Sequence, residues 1–231
     1  MKSDKTSTGL SEQQTALYFF QFKRNKFWAF KQMQLAFKPL MEVEGLQFFK
    51  LLGCGGGNGF SVFPDFGRYA LLTVWKSEEE RQVFESNSPI FKNYRERCST
   101  CTRYRLHPVG GRGTWNGIAP FEYGAVLSEP LPYSILTRAS IRRLKLFDFW
   151  TKVPGVSKRA EKFPGANFSI GIGEWPLVEQ ATFSVWKDLE AVKNFAYRDK
   201  IHKRVVELTR KRNWYSEELF VRFQLIEERV M

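Results

Sequence analysis

Apolar runs divide the chain into two successive sets of the same elements. In residues 15–109 strands are predicted at ALYFFQF, LQFFKLL, YALLTVW and CTRYRLH, and helices at FWAFKQMQLAF and SEEERQVF. The first helix stops at Pro39, which cannot continue a helix interior. Ser77 and Glu80 have the spacing of a capping box, and Pro89 kinks or restarts the second helix.

Residues 125–231 repeat this order. Strands are predicted at SILTRASI, NFSIGI, ATFSVW and ELFVRFQLI, helices at FDFW and VSKRAEKF around Pro154, and one long helix from Asp188 onward. Residues 110–124 are rich in Gly and Pro and are predicted to link the halves, while residues 1–14 are polar and predicted to be a disordered lead. Each half therefore has the β-α-β-β-α-β order of a ferredoxin-like α+β unit.

Matching residues in the two halves indicate a duplication. Near the end of each half the offset is 111 positions, and upstream it is 120, so the first half carries a nine-residue insertion within GCGGGNGFSVFPDFGR. Each sheet would leave one face without helices, so we expect the halves to pack face to face as an intramolecular dimeric α/β-barrel. The matching pairs are Trp75 with Trp186, Lys76 with Lys187, Phe84 with Phe195, Phe27 with Phe147, and Gly45 with Gly165.

Composition narrows the functional classes. Aromatic residues make up 16% of the chain, which implies a very large core or an apolar pocket for a large ligand. No apolar run reaches the roughly 18 residues that cross a bilayer, and no hydrophobic signal segment is present, so we expect a cytoplasmic protein. The net charge of +12 suits nucleic acid, an anionic membrane surface or an acidic protein. Because the basic residues are scattered, nucleic acid is disfavoured.

The cysteines and the glycine-rich segment carry weak signals. Cys54, Cys98 and Cys101 form an odd set, which argues for reduced thiols, and the C-x-x-C pair follows a helix instead of preceding one. The glycines at 53–59 lack the phosphate-loop pattern, since Asn58 stands where the third glycine is needed. This segment is predicted to be a flap over the barrel or a plain long loop.

The chain has two histidines, which differ in their predicted setting. His107 ends a strand just before a proline, so a structural or solvent-facing role is expected. His202 lies seven residues after Phe195 and four before Val206, so helical spacing places it on the apolar stripe of the long helix; its counterpart in the first half is Phe91. The stripe consists of Val192, Phe195, Ala196, Val205 and Val206.

A buried histidine on such a stripe has two interpretations. It can be a core residue, or its neutral imidazole can be the axial ligand of a haem iron. A haem-ligating imidazole usually donates its other N–H to an oriented acceptor. Asp199 can be that acceptor for His202, or it can be a solvated carboxylate on the helix face.

Several separated strings give the chain a family resemblance. SILTRASI, GIGEWP, QATFSVW, NWYSEELFVRF and NGFSVFPDFGRYALLTVW together resemble the spheroidene monooxygenase family of carotenoid biosynthesis, over residues 16–226. The resemblance implies a dimeric α/β-barrel enzyme that uses haem b, dioxygen and an external electron donor such as ferredoxin. It implies two successive hydroxylations of an allylic carbon in an acyclic carotenoid, which leave a keto group. His202 is the residue that matches the axial ligand, and contact with the inner membrane face is compatible with this role.

Given a haem, the second half supplies candidates for its other side. Strand alternation puts Arg138 and Ser140 on one face, where they can stabilise charge on iron-bound oxygen; otherwise Arg138 is exposed or paired to a glutamate. Glu174 approaches the pocket or merely ends a strand. Gly171 and Gly173 admit a flat macrocycle close to the backbone, or mark a bulge.

Two rival functions remain open. The same barrel can carry peroxidase, chlorite dismutase or aldoxime dehydratase chemistry, because a fold does not determine a reaction. A tandem RNA-recognition module shares the element order, but its RNP1 string is poorly matched by GRYALLTVW. In that string Arg68 separates the glycine from the aromatic residue and Leu71 replaces a stacking ring.

Overall fold

Eight antiparallel strands form one closed barrel in the computed structural model, which describes residues 12–56, 64–152, 163–175 and 177–231, without the side chains of residues 200–202. Around the barrel the strands follow the order β1-β3-β2-β6-β7-β5-β8-β4. The strands are β1 (Gln14–Gln21), β2 (Leu46–Gly55), β3 (Pro64–Trp75), β4 (Thr100–Gly113), β5 (Tyr133–Ile141), β6 (Ala166–Gly173), β7 (Glu179–Trp186) and β8 (Tyr215–Val230).

Helices cover the outside of the barrel. In the first half they come as pairs between strands, and no helix among the described residues is both long and apolar enough to cross a bilayer. The helices are α1 (Lys26–Leu35), α2 (Phe37–Met41), α3 (Glu78–Asn87), α4 (Pro89–Arg97), α5 (Leu146–Lys152), α6 (Leu189–Arg198) and α7 (Lys200–Arg212). The predicted helix VSKRAEKF, apart from Phe163, and the glycine-rich segment beyond residue 56 lie outside the described residues.

The fold prediction is confirmed: two ferredoxin-like halves build one barrel. β1–β4 form one half and β5–β8 the other. The halves meet along two seams of very different length. Among the described residues, β4 and β8 pair over eleven residue pairs, whereas β2 and β6 pair at Gly53 with Gly173 and at Cys54 with Ile172.

The duplication extends to individual hydrogen bonds. The indole N–H of Trp75 donates to Thr73 Oγ1 at 2.8 Å, and that of Trp186 donates to Ser184 Oγ at 2.8 Å. Each tryptophan packs on a phenylalanine of the following helix, with ring centroids 4.9 Å and 5.1 Å apart. The same side-chain motif therefore anchors a helix in both halves.

The turns and caps repeat as well. Gly45 and Gly165 both have positive φ, and their carbonyl groups accept from the backbone N–H groups of Lys76 and Lys187. Ser77 Oγ accepts from the backbone N–H of Glu80, as the capping-box spacing predicts, and Asp188 caps α6 in the same manner.

Apolar side chains pack on both faces of the first-half sheet. One cluster fills the barrel and includes Leu17, Leu72, Leu136, Phe183 and Phe223. A second lies between the outer face of β1–β3 and the helices α1–α4, around Tyr18, Phe20, Trp75, Phe84 and Phe91. The outer face of the second half has a much smaller cluster, formed by Ile141, Phe149 and Trp214.

Three local differences separate the structure from the sequence-based prediction. Pro39 lies inside the short helix α2, where its position in the first turn needs no N–H donor. β4 runs on to Gly113, so the segment predicted as a linker from residue 110 begins inside a strand. Pro89 restarts the helix as α4, and a second interruption, at Asp199, divides the long helix predicted in the second half.

Candidate functional site

The sheet of the second half separates the candidate residues into two groups. Along β5, Leu136 belongs to the barrel interior, so Arg138 and Ser140 face inward by alternation. Glu174 has the parity of the interior residues Ile170 and Ile172.

The opposite, outer face is the one covered by helices. Gly171 and Gly173 alternate with the interior residues of β6 and so lie on this face. α7 packs on it too, because Val205 of α7 belongs to the apolar cluster around Ile141, Phe149 and Trp214. The sheet therefore lies between Arg138 and α7, the helix that carries His202, which disfavours a place for Arg138 beside a haem held by His202.

Charged side chains close one end of the barrel from within. We call them the internal charge cluster: Lys50, Arg138, Glu174, Glu179 and Glu217. They lie where β5 and β6 end and where β7 and β8 begin, and Lys50 reaches them from β2 between Phe48 and Leu52. Arg138 and Lys50 are 1% and 9% exposed, so their charges need partners inside the protein.

Carboxylates and an aromatic ring surround the guanidinium of Arg138. It is paired to Glu217, and it contacts Glu179 Oε1 at 3.4 Å. It also donates to Asn116 Oδ1 at 3.0 Å and lies 5.6 Å from the ring centroid of Trp115. Of the two alternatives for Arg138, pairing to glutamate is the one observed.

Glu174 joins the linker to the barrel. Its Oε1 accepts from Lys50 Nζ at 2.8 Å, and its Oε2 accepts from the indole N–H of Trp115 at 2.6 Å. Trp115 belongs to the segment between the halves, yet it is 1% exposed and packs with the interior cluster. The segment predicted as a linker thus supplies a plug for the barrel end.

Glu179 and Glu217 lie on either side of Ser140 in the sheet, and their pKa values are shifted in opposite directions. Burial disfavours the charged form of Glu217, but hydrogen bonds from Thr114, from backbone N–H groups and from Arg138 outweigh this and lower its pKa to about 2. Burial, and then the negative charge of Glu174, raise the pKa of Glu179.

The outer face of the second half carries smaller side chains than its counterpart. Strand register makes Tyr18 equivalent to Thr137, because Tyr18 lies opposite Leu71 and Thr137 lies opposite Thr182, the residue 111 positions after Leu71. The same register gives four replacements in neighbouring places: Tyr18 by Thr137, Phe20 by Ala139, Leu51 by Gly171, and Leu71 by Thr182.

The described side chains of α6 and α7 leave part of this outer face open. In the first half Tyr18 has no exposed surface, and its ring lies 5.2 Å from that of Phe91 in α4. In the second half Thr137 is exposed, and no residue of α6 is buried. A cleft lined by Gly171, Gly173, Gln180, Trp150 and Leu177 opens at the edge of this face. As far as the described side chains show, this outer face has an open space, which we call the hollow, around Thr137 and the cleft.

The place of His202 in the fold is given by its equivalence to Phe91 in the repeat, and not by the apolar stripe that was predicted for one long helix. α7 begins at Lys200 as α4 begins at Pro89, so His202 and Phe91 are both third residues of equivalent helices. Extended backbone at Asp199 interrupts the helix, as it does at Ser88.

Phe195 and His202 therefore belong to different helices, and the spacing argument across them is wrong. Val206 is 37% exposed, so the stripe is not a buried face. The side chain of His202 lies outside the described part of the chain. Asp199, the predicted acceptor for His202, accepts a hydrogen bond from the backbone N–H of Lys203 through its carbonyl group.

Gly173 has a structural explanation of its own. A Cβ atom at this position would overlap the backbone carbonyl of Glu179 on the neighbouring strand. Close approach of two strands therefore requires glycine here, whether or not a ligand is bound.

His107 and the cysteines have structural settings. His107 is 3% exposed, and its Nε2 lies 2.8 Å from the carbonyl oxygen of Ala125, which ties β4 to the segment before β5. Burial raises the pKa of all three thiols, to about 12 for Cys101. No cluster of three metal-ligating side chains occurs within the described residues.

Sequence reasoning missed four members of the interior site. Lys50 lies between Phe48 and Leu52 on the apolar face of β2. A charged residue at an inward-facing position of an apolar strand was the sequence signal for it. Glu217 likewise shares parity with the apolar residues of β8. Glu179 and Trp115 carry no comparable signal, because both lie at the ends of loops.

Known proteins resemble the chain over most of its length. The spheroidene monooxygenase of Rhodobacter capsulatus is 35% identical over 201 residues, which cover 86% of this chain and 83% of that protein. The spheroidene monooxygenase of Cereibacter sphaeroides is 31% identical over 217 residues, which cover 93% of this chain and 67% of that protein.

Two further comparisons concern the second half and the fold. A family model described as "Domain of unknown function (DUF3291)" matches residues 136–224. A crystal structure of an aldoxime dehydratase in complex with butyraldoxime superposes with a TM-score of 0.61 at 9% identity, covering 94% of this chain and 81% of that chain. At this identity the superposition supports the barrel fold alone.

Proposed function

Because the chain belongs to the spheroidene monooxygenase family, we propose that it is a monooxygenase that ketolates an acyclic carotenoid with a haem b held by its second half. The family membership supports the reaction class and the carotenoid substrate. The haem is our inference from the asymmetry between the two halves.

The hollow on the outer face of the second sheet is the observation that carries the haem proposal. Thr137, Ala139, Gly171 and Thr182 stand where the first half has one tyrosine, one phenylalanine and two leucines. Such losses of side-chain volume leave space that a close-packed interior does not tolerate without an occupant. The position above this space has Phe91 in one half and His202 in the other.

The donor set of this hollow fits a haem. His202 would supply the axial imidazole, and Gly171 would let the flat ring lie against β6. Thr137 and Thr182 lie directly opposite each other on neighbouring strands, so both hydroxyl groups line the sheet side of the space. A haem bound here would supply reductive activation of dioxygen, with electrons from an external donor such as ferredoxin.

The hydroxyl groups of Thr137 and Thr182 take the part that the sequence assigned to Arg138 and Ser140. They are polar side chains on the outer face, and a hydroxyl can donate a hydrogen bond to an oxygen atom held above the sheet. Arg138 and Glu174 act from the other face, where they hold the barrel end together.

The net transformation is the replacement of an allylic CH2 group by a carbonyl group. Each of two hydroxylations consumes one dioxygen, two electrons and two protons, and it releases one water. The resulting geminal diol loses a further water and leaves the ketone.

The barrel interior disfavours the RNA-binding alternative. RNA-recognition motifs stack bases on the sheet face that lacks helices. Here this face of both sheets is turned into the closed barrel and packed with apolar side chains.

The visible spectrum of the purified protein tests the haem proposal. We expect a Soret band that disappears in His202→Ala and persists in His107→Ala, which removes a structural hydrogen bond on β4. A protein that cannot be reconstituted with haemin, or a Soret band that persists in His202→Ala, contradicts the proposed axial ligand. Chromatography that monitors the conversion of an acyclic carotenoid to its ketone tests the reaction. Formation of the ketone distinguishes this activity from peroxidase or dehydratase chemistry.

A further inference from the structure

Helices α1 and α2 present an apolar surface to solvent. Six large side chains are more than half exposed over this region: Phe27 (70%), Phe30 (53%), Leu35 (62%), Phe37 (51%), Met41 (66%) and Phe66 of β3 (56%). We call this set the α1–α2 patch. Monomeric proteins seldom expose contiguous apolar patches of this kind without a binding role.

The patch is organised as one helix face. Phe27, Phe30, Lys31 and Leu35 follow helical spacing on the exposed side of α1, while Ala29 is buried and Trp28 and Met33 pack against the first-half core. Phe30 contacts Phe66, with ring centroids 6.1 Å apart, which joins α1 to the beginning of β3.

The helices that carry most of the patch are basic, and its acidic neighbours are Asp65 beside Phe66 and Glu42 and Glu44 after Met41. Residues 22–41 contain five basic residues and no acidic one. The basic residues are Lys23, Arg24, Lys26, Lys31 and Lys38, all of them exposed. Lys31 Nζ lies 4.6 Å from the ring centroid of Phe27, so cationic and aromatic groups are interleaved at the surface.

We propose that the α1–α2 patch docks the protein on an anionic phospholipid bilayer. A helix lying in the interface with aromatic and aliphatic side chains pointing into the lipid and lysines at its flanks has the chemistry of a membrane-surface anchor. The overall charge of +12 draws the protein towards such a surface. A soluble acidic partner would satisfy the lysines but would leave the apolar side chains unexplained.

A rival surface lies on the repeat-equivalent helix. α5 exposes Phe147 (85%), the counterpart of Phe27, and Leu144 (98%) is exposed in the turn just before this helix. It offers fewer apolar side chains than the α1–α2 patch, and Asp148 lies within it. The larger surface, whose helices α1 and α2 contain basic residues and no acidic one, is therefore the one assigned to the bilayer.

Cosedimentation of the full chain with lipid vesicles tests the docking, and it needs neither haem nor carotenoid. We expect binding to mixed phosphatidylcholine and phosphatidylglycerol vesicles, and weak binding to pure phosphatidylcholine. The triple variant Lys26→Glu, Lys31→Glu, Lys38→Glu should reduce partitioning about 100-fold, since each lysine near an anionic surface contributes about fivefold. The matched control Lys76→Glu, Lys187→Glu, Lys193→Glu changes the net charge equally on other surfaces and should lose much less.

A second pair of variants separates the apolar contribution from the charge. Phe27→Gln, Leu35→Gln, Met41→Gln should weaken binding by about tenfold or more, because less apolar surface enters the lipid. The control Val83→Gln, Val126→Gln, Tyr197→Gln removes exposed apolar residues elsewhere and should bind as the unaltered chain does.

Three results overturn the proposal. The first is an equal loss of vesicle binding in the patch variants and the control variants. The second is a loss of vesicle binding in the double variant Leu144→Gln, Phe147→Gln but not in the patch variants. The third is a chain that does not bind vesicles and forms a dimer in solution, which the patch variants dissociate. Circular dichroism of every variant verifies that the fold persists. If the unaltered chain binds vesicles but does not ketolate a carotenoid, the proposed function is contradicted and the docking surface is still supported.

Discussion

Thr137 occupies in the second sheet the place that Tyr18 occupies in the first. Both lie on the outer face. Tyr18 pairs with Leu71 of β3, and Thr137 pairs with Thr182, the equivalent residue of β7. The tyrosine is fully buried under α3 and α4, whereas the threonine is exposed. One half of the duplication has kept a packed core, and the other has opened the same space.

Refilling this space should expel the haem. Thr137→Tyr and Thr182→Leu restore the first-half residues, so we expect haem affinity to fall at least about tenfold, with thermal stability unchanged or raised. Haemin titration followed at the Soret band measures the affinity. Thr137→Val keeps the volume and removes only the hydroxyl group, so it should still bind haem. Equal affinity in Thr137→Tyr and Thr137→Val would refute the assignment of the hollow.

Placing a histidine in the first half should not create a second site. Phe91 is 2% exposed and packs against Tyr18 and Phe84, so Phe91→His buries a polar ring without space for a ligand. We expect about 3 kcal/mol of destabilisation and no added Soret absorbance. Phe91→Leu, measured beside it by urea unfolding, should cost about 1–2 kcal/mol. Stoichiometric haem uptake by Phe91→His would show that the hollow is not what distinguishes the halves.

Removing the charge of Arg138 should affect stability and not the haem. Arg138→Met leaves Glu217 and Glu179 without their buried cation, which should lower the free energy of unfolding by about 3–5 kcal/mol. Arg112→Met, at a 64% exposed side chain paired with Glu218, should change it by less than about 0.5 kcal/mol. Urea unfolding measures both, and an altered Soret maximum in folded Arg138→Met would place Arg138 at the haem after all.

The two carboxyl groups that flank Ser140 should respond to pH in opposite directions. The pKa of Glu217 is lowered by folding, so its stabilising contribution is present above its unfolded pKa of about 4.3 and is lost as the pH falls towards 2. The pKa of Glu179 is raised by folding, so its contribution is present below about pH 4.3 and is lost as the pH rises through the raised pKa.

The corresponding amide variants isolate these contributions. Glu217→Gln should lower stability at neutral pH and reduce the loss between about pH 4 and 2, whereas Glu179→Gln should raise stability at neutral pH relative to acid. Unfolding curves over this pH range, with the exposed Glu218→Gln as reference, give the comparison. Profiles of the same shape for Glu217→Gln and Glu179→Gln would mean that the charge cluster is organised differently.

The sequence predicted the repeat well because both halves keep the same anchors. Trp75 and Trp186 make the same hydrogen bond to a hydroxyl two residues earlier, so the aligned strings reported real structural equivalence. The sequence also predicted that Arg138 and Ser140 share a face. It could not say which face, because both sides of a barrel strand are covered, one by the opposite sheet and the other by helices.

The helix that carries His202 shows a different limit. In the first half Pro89 signals the restart of the helix, but the equivalent residue in the second half is Lys200, which carries no such signal. Helical periodicity was therefore extended across Asp199, where the backbone is extended. The internal charge cluster was missed for a related reason, since its members come from five separate segments that meet only in the closed barrel.

The short seam between β2 and β6 has a consequence for dynamics. Among the described residues, two backbone pairs and the Lys50–Glu174 ion pair join the halves there, against eleven backbone pairs between β4 and β8, so this edge is the weaker of the two. The seam residues Gly53, Cys54 and Gly173 also line the cleft at the edge of the hollow. Amide protons at this edge should therefore exchange with solvent sooner than those of β4 and β8. A long rigid molecule would enter the barrel wall most easily at this seam.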